Sequence, residues 1–329
     1  MKIPVAEEIF TVSGARSFER LALEIFRFQA AGCPVYREYL GLLGVDPASV
    51  DSVYSIPFMP VSFFRDHTVL TGEGPVTGTF MSSGTTGVRQ SAHHVKDTAI
   101  YDRSLEAGFR LFYGNPSGYA VMGLLPSYLE REGSSLIYMV NRLMQLSGND
   151  EGGFFLSDRD GLFRSVDRAR GAGLKVLLIG VTFALLDLAE DHPCDLSDVI
   201  IAETGGMKGR RREMIREEVH EILMKAFGVS SVHSEYGMTE LLSQAWSDGG
   251  GLFTAPPWMK VLIRDSHDPA DHTDVPGAAG GISVIDLANL WSCSFIATSD
   301  LGRMHHGGQF EVLGRFDEAD IRGCNLLVN

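Results

Sequence analysis

Apolar residues recur at three- and four-residue spacing over residues 17–31, where Phe18, Leu21, Ile25 and Phe28 mark one face of a helix that Gly32, Cys33 and Pro34 stop. A second stripe, Ile215, Val219, Ile222 and Ala226, stands opposite Arg211, Arg212, Glu217, Glu218 and Glu221. It predicts a helix over residues 210–226, closed by Gly228. Short apolar runs at residues 119–125, 174–179 and 198–202 predict buried strands. Strands alternating with longer helical stretches form parallel sheets with crossover helices, so the fold class is α/β. From Gly249 the texture changes: Gly, Pro and Asp punctuate short runs at 259–263, 281–287 and 294–298, as in an all-β region. The expected organisation is an α/β body over residues 1–247 and a smaller β-rich subdomain over 248–329. Residues 53–75, rich in Pro, Phe and Gly, predict irregular structure packed on the core.

Composition narrows the function classes. With 329 residues, 44% hydrophobic and 21% charged, the chain has the makeup of a folded protein of one large or two ordinary domains. A net charge of −14 repels a phosphate backbone and argues against nucleic acid as a principal partner. No apolar run approaches the roughly 20 residues that cross a bilayer, and the N-terminus lacks the apolar core of a signal peptide. The expectation is a cytoplasmic protein with no membrane span. Cys33, Cys194, Cys293 and Cys324 are scattered without a C-x-x-C pair, which suggests neither a zinc site nor a disulfide framework.

The densest candidate chemistry is the run Ser82, Ser83, Gly84, Thr85, Thr86 and Gly87, which follows the apolar pair Phe80 and Met81. Glycine lets successive backbone N–H groups point inward and the hydroxyls add donors, so the loop suits phosphate oxygens. No Gly-Lys-Ser/Thr follows, as a Walker A loop requires; no G-x-G-x-x-G opens a helix after a strand, and G-x-S-x-G is absent. These absences turn the reading away from P-loop NTPases, dinucleotide-dependent dehydrogenases and serine hydrolases.

Three further segments follow in order: Tyr236, Gly237, Met238, Thr239 and Glu240; Thr298, Ser299, Asp300, Leu301 and Gly302; and Gly314 and Arg315 with Asp317. Together with the Ser82 loop they resemble the core motifs of adenylate-forming enzymes, over most of the chain from about residue 53. The Ser-Ser-Gly-Thr-Thr-Gly start, the stretch Thr204, Gly205, Gly206, Met207, Lys208 and Gly209, and the ending Arg322, Gly323, Cys324, Asn325, Leu326 and Leu327 are similar to the acyl-protein synthetases (LuxE family) of luminescence fatty-acid reductase complexes. Phenylacetate-CoA ligases are nearer cousins than the large acyl-CoA synthetases. Typical members continue into a mobile domain of ~100 residues with a catalytic lysine, and this sequence stops before it. The resemblance thus implies an adenylate-forming N-terminal-type body whose β-rich part completes the nucleotide site, with the mobile C-terminal domain absent.

The resemblance also implies ATP and Mg²⁺ as cofactors, a carboxylic acid of the fatty type as substrate, and an acyl-CoA or acyl-protein reductase as partner. Attack of a carboxylate on the α-phosphate develops negative charge and expels pyrophosphate, so donors and a cation must be preplaced. The Ser82 to Gly87 loop would supply the donors and Glu240 the metal ligand. Tyr236, in one motif with Gly237 and Thr239, would stack on adenine. Gly205 and Gly206 would let the backbone approach the base and the acyl carbonyl, Asp300 would take the ribose hydroxyls, and Arg315 would donate to ribose or phosphate. Many such enzymes carry a lysine just after the phosphate loop, where this chain has Val88, Arg89, Gln90 and Ser91; Arg89 or Lys208 is the candidate for that charge.

Cys324 is the candidate acyl carrier, with Arg322 to favour the thiolate and Gly323 to allow swing; its alternative is a cysteine that merely packs. The His93, His94 and His305, His306 pairs place neighbours on opposite faces of a strand, which favours surface or packing roles over a metal. Two rival readings stand beside an acyl-protein synthetase: a CoA-dependent acid ligase, and a nucleotide-binding subunit of an acyl-transfer complex without catalysis of its own.

Overall fold

The computed structural model describes residues 6–83, 89–125, 133–205 and 214–316. The chain opens with helices α1 (Ala6–Ile9), α2 (Ala15–Gly32) and α3 (Pro34–Leu42). Phe18, Leu21, Ile25 and Phe28 are all buried on α2, as their spacing predicts. Pro34 opens α3 in the first turn, where its missing N–H leaves no bond unmade. In the irregular 53–75 segment the regular pieces among the described residues are short: a 3-10 turn (Val53–Ser55), β1 (Met59–Pro60) and α4 (Phe63–Asp66).

Strands β2 (Gly78–Met81) and β3 (Ala92–Val95) form an antiparallel hairpin. Helix–strand alternation follows: α5 (Thr98–Tyr113), β4 (Tyr119–Leu124), α6 (Ser135–Ser147), β5 (Gly153–Phe154), α7 (Arg159–Gly171), β6 (Lys175–Gly180), α8 (Thr182–Asp191), β7 (Val199–Glu203), α9 (Arg216–Phe227), β8 (His233–Tyr236) and β9 (Ala245–Ser247). Asp97, Ser134 and Asp158 cap α5, α6 and α7 by accepting backbone N–H bonds. The strands form one sheet in the order β5-β4-β6-β7-β8-β9, parallel from β5 to β8 with β9 antiparallel. Helices cover both faces, which is why β4 and β6 read as continuous apolar runs.

One sequence expectation is corrected at α9. The helix begins at Arg216, and its buried face is Val219, His220, Leu223 and Phe227, one position on from the stripe of Ile215, Val219, Ile222 and Ala226. Ile215 precedes the helix at 63% exposure and Ile222 is 41% exposed. The rotation puts His220 beside Glu203 and buries Phe227; Gly228 closes the helix in the left-handed conformation, as expected.

Beyond Ser247 the described residues form no further α-helix. Strands β10 (Leu252–Phe253), β11 (Met259–Arg264), β12 (His272–Thr273), β13 (Ala279–Asp286), β14 (Phe295–Met304) and β15 (Phe310–Arg315) build a second sheet, which β1 joins by pairing in parallel with β14. The first part of β14 pairs with β1 at Ile296 and Ala297, and the later part with β15 from Asp300 onward. Asp300 therefore stands where β14 exchanges one neighbour for another. It lies within a strand, and Gly302 serves that strand rather than a turn: a Cβ there would come within 2.7 Å of the Glu311 carbonyl oxygen and of Ile282.

The N-terminal helices lie on this second sheet although they come first in sequence. The buried Gln29 amide donates to the carbonyls of Asn289 and Leu290 and accepts from Ser294 N–H, while Phe26 and Tyr36 meet Phe295 ring to ring. A buried polar network joins the two sheets. Asp286, at the end of β13, accepts from Leu242 N–H and Ser243 N–H (both 2.9 Å), from the Ser243 hydroxyl (2.6 Å) and from Ala288 N–H (3.0 Å). Asn289 donates to the Glu240 carbonyl, and Trp258 Nε1–H reaches Ser104 and Ser243. His93, which burial pushes down to about 4 and so holds neutral, bridges the Thr239 carbonyl and the Ser292 hydroxyl, while His94 turns the other way to Thr79. No helix among the described residues is long and apolar enough to cross a membrane.

Asp286→Asn replaces one acceptor oxygen with a donor that faces other donors. We expect a loss of stability on the order of 2–4 kcal/mol, read as a lower urea midpoint at unchanged slope; an unchanged midpoint would contradict the linking role of this carboxylate.

Candidate active site

A cleft of about 780 Å³ is lined by both sheets and by the β2–β3 hairpin. Its floor lies at the carboxyl ends of the parallel strands β7 and β8, where open α/β sheets hold ligands. Several residues singled out by sequence line it together: Ser82, Ser83, Gly205, Tyr236, Gly237, Thr239, Glu240, Asp300 and Arg315. Gly84, Thr85, Thr86, Gly87, Gly206, Lys208 and Cys324 lie outside the described residues.

The hairpin loop is pinned where it starts. Ser82 N–H donates to the Ser91 carbonyl at 3.0 Å, and Ser91 N–H donates to Ser82 Oγ at 2.9 Å. Arg89 lines the cleft from the same loop. Arg65, Arg216 and Arg315 line it as well, interleaved with Glu203, Glu235, Glu240 and Asp300. Guanidinium groups suit phosphate oxygens of a ligand.

Asp300 joins the sheets at the cleft. Tyr236 Oη–H donates to its Oδ2 at 2.9 Å across 64 residues of sequence, and Arg315 Nε stands 3.1 Å from Oδ1. The Asp300 carboxyl is buried and held above its ordinary value by that burial, against the opposing pull of Arg315 and Tyr236. The Tyr236 ring packs on Phe253 and Phe310. Glu240 is also buried, with Ser91 as a hydrogen-bond partner; burial pushes its carboxyl up.

Two carboxylates that the motif reading passed over occupy the strand ends. Glu203 closes β7. It accepts from Thr182 Oγ1–H at 3.1 Å and Gly205 N–H at 2.6 Å, with Arg216 Nε at 3.5 Å and His220 Nε2 at 3.8 Å. Burial pushes this carboxyl up, but bonds from His220, Ser234 and Gly205 and the Arg216 charge outweigh it and hold it at about 2. Glu203 thereby fixes Gly205, whose φ of +70° needs glycine. Its signal in the sequence is an acidic residue ending an apolar run at the carboxyl end of a strand.

Glu235 on β8 is its opposite. Its carboxylate rests against Gly237, where a Cβ would stand 2.3 Å from Oε1, and among the described residues it receives no hydrogen bond. Burial pushes it up to about 8, with repulsion from Glu203 adding. The unfolded chain releases this proton near the ordinary 4.5 and the folded chain only near 8, so stability falls as pH rises through that window. Glu235→Gln removes the fall. Thermal midpoints of variant and parent should differ little at pH 4.5 and separate by several degrees, in favour of the variant, at pH 8; parallel profiles would contradict the unpaired carboxyl.

No family model matches the sequence, and no curated protein matches it. Solved structures do. The chain is similar to ATP-bound MatB from Rhodopseudomonas palustris, with a TM-score of 0.56 at 17% identity over 73% of this chain and 48% of that one. It is also similar to 2-hydroxyisobutyryl-CoA ligase, in an open conformation with 2-HIB-AMP and CoA (TM-score 0.64, 12% identity, 92% of this chain and 75% of that one) and in the thioesterification state (0.64, 14%, 93% and 70%). The chain spans about half the length of the MatB structure. At these identities the likeness is one of architecture: the α/β sheet, the β-rich sheet and their helices have the fold of adenylate-forming ligases.

Proposed function

We propose that this chain uses ATP to activate a carboxylic acid as an acyl-adenylate and passes the acyl group to a thiol, as an AMP-forming acid–thiol ligase. The observation that carries the reading is the convergence of Tyr236, Glu240, Asp300, Arg315 and the start of the Ser82 loop in one cleft, from two sheets and a hairpin. The ATP-bound state of MatB and the adenylate-bound states of 2-hydroxyisobutyryl-CoA ligase support it. The nucleotide would lie between an α/β body over residues 1–247 and a β-rich subdomain over 248–329.

In this reading Asp300 accepts the ribose hydroxyls. Its two oxygens offer about four lone-pair sites, so bonds from Tyr236 and Arg315 leave acceptor capacity. Tyr236, braced by Phe253 and Phe310, offers its ring to the base. Glu240 would hold Mg²⁺, whose charge offsets that on the phosphates; such a site needs only one or two carboxylates beside the phosphate oxygens, and a buried carboxyl gains from an adjacent cation. Arg89, which lines the cleft, supports its candidacy for the charge after the phosphate loop.

The finer reading is a cytoplasmic acyl-protein synthetase that takes a fatty acid, carries it on Cys324 and delivers it to a reductase. Burial pushes the thiols of Cys33, Cys194 and Cys293 up, away from the reactive thiolate, which leaves Cys324 as the candidate carrier. A second reading uses CoA as acceptor, favoured by the CoA-bound states of 2-hydroxyisobutyryl-CoA ligase.

ATP–pyrophosphate exchange over a panel of carboxylic acids tests the reading, and absence of exchange with every acid contradicts it. Glu240→Gln keeps shape but loses charge and should lower Mg²⁺-dependent exchange by about a hundredfold; normal exchange would remove Glu240 from the site. Asp300→Ala should weaken ATP binding by about tenfold or more, and unchanged affinity in calorimetry would refute the ribose role. Cys324→Ser should keep exchange and lose hydroxylamine-sensitive acyl label on the protein; undiminished label would assign the acyl group to another acceptor.

A further inference from the structure

We infer that Glu235 selects the acid: its carboxylate accepts a hydrogen bond from an O–H or N–H on the acyl part of the substrate, so acids with a hydroxyl or amine in their tail are favoured over plain alkanoic acids. The inference rests on the acid-activating reading and narrows it.

Geometry separates Glu235 from the nucleotide residues. Successive strand residues point to opposite faces, and Tyr236 turns toward Asp300, Phe253 and Phe310. Glu235 turns the other way, toward Gln244 and Tyr101 of α5, which feels its charge. An adenine stacked on Tyr236 therefore cannot offer its amino group to Glu235. The triphosphate is no partner either, because a carboxylate beside phosphate oxygens is repulsive. Of an acid's two ends, the reacting carboxylate must meet the α-phosphate, which leaves the tail for Glu235. From α6, Leu136 and Met139 line the cleft beside Ser135 and offer apolar surface suited to the carbon chain between the two ends.

Chemistry says what the tail must carry. Other buried carboxylates here are matched: Glu203 by Thr182, Gly205, Arg216 and His220, Asp286 by Leu242, Ser243 and Ala288, Asp300 by Tyr236 and Arg315, and Glu240 by Ser91. Glu235 alone among these has no donor within the described residues, yet it faces the cleft. Gly237 leaves the room in which its carboxylate lies. Glu235 is only partly buried and opens onto the cleft; once a substrate displaces the cleft water, an ionised carboxylate without a donor costs free energy that a donor on the ligand recovers.

The test compares the full chain with Glu235→Leu and Glu235→Gln on two series of equal length: butyrate with its γ-hydroxy and γ-amino derivatives, and octanoate with its ω-hydroxy and ω-amino derivatives. Binding is read by calorimetry and activation by ATP–pyrophosphate exchange, both at a pH above the value of about 8 to which burial pushes Glu235, so that its carboxyl is ionised. We expect the parent to favour a donor-bearing acid over its methyl-ended match by at least about tenfold, the worth of one charge-assisted hydrogen bond. Glu235→Leu should erase or invert that ratio, and the hydroxy and amino arms report which donor is read. Both variants remove a carboxyl that receives no hydrogen bond among the described residues, and unchanged circular dichroism checks that each still folds. A parent that prefers the plain acid, or a preference that survives Glu235→Leu, overturns the inference and leaves acid activation standing. A preference in binding that Glu235→Leu abolishes, without exchange, sustains the inference and removes activation. Binding of none of these acids overturns the inference whatever else the chain activates.

Discussion

The carboxylate of Asp286 gathers the backbone N–H groups of Leu242 and Ser243, the Ser243 hydroxyl and Ala288 N–H, and so ties the chain after β8 to the end of β13. Everything in the cleft depends on this link. Tyr236 to Glu240 belong to the parallel sheet and Asp300 and Arg315 to the other, and no covalent neighbour brings them together. Asp286 anchors the segment that leaves the first motif, while the β13–β14 ladder carries the second motif at a fixed offset from the same carboxylate. His93 on Thr239 and Asn289 on Glu240 hold the segment between. Because these bonds are buried, each partner lost leaves another unsatisfied, and the junction is made whole or not at all.

Four carboxylates that line the cleft behave differently because of their neighbours. Glu203 sits among donors and stays ionised, which makes it an anchor for Gly205. Asp300 and Glu240 have fewer partners and open onto the cleft. Glu235 has none. The gradient from matched to unmatched runs from structural support toward the open cleft, the pattern expected of an active site.

What the sequence makes legible follows from the range of each interaction. The α2 stripe, the buried parallel strands and the β-rich texture beyond Gly249 are local patterns, and they appear as written. The phase of α9 was off by one position because its face is chosen by His220 reaching Glu203 and by Phe227 reaching the core, contacts that periodicity alone does not contain. The seating of the N-terminal helices on the second sheet rests on Gln29 bonds that span some 260 residues. Asp300 read singly resembles a turn former before Gly302; only the order of motifs marked it, and the strand it occupies explains why Gly302 must be small. Glu203 and Glu235 carry no motif of their own, since their roles arise from strand order and from which donors a neighbouring strand presents.

On the proposed function, one cleft holds a nucleotide and an activated acid as a single joined ligand. Calorimetric binding of a non-hydrolysable acyl-sulfamate of adenosine tests it most directly, with AMP and the free acid as references. The account predicts that the joined analogue binds at least about a hundredfold more tightly than AMP and that Asp300→Ala erodes this advantage. An analogue that binds no better than AMP would contradict the account.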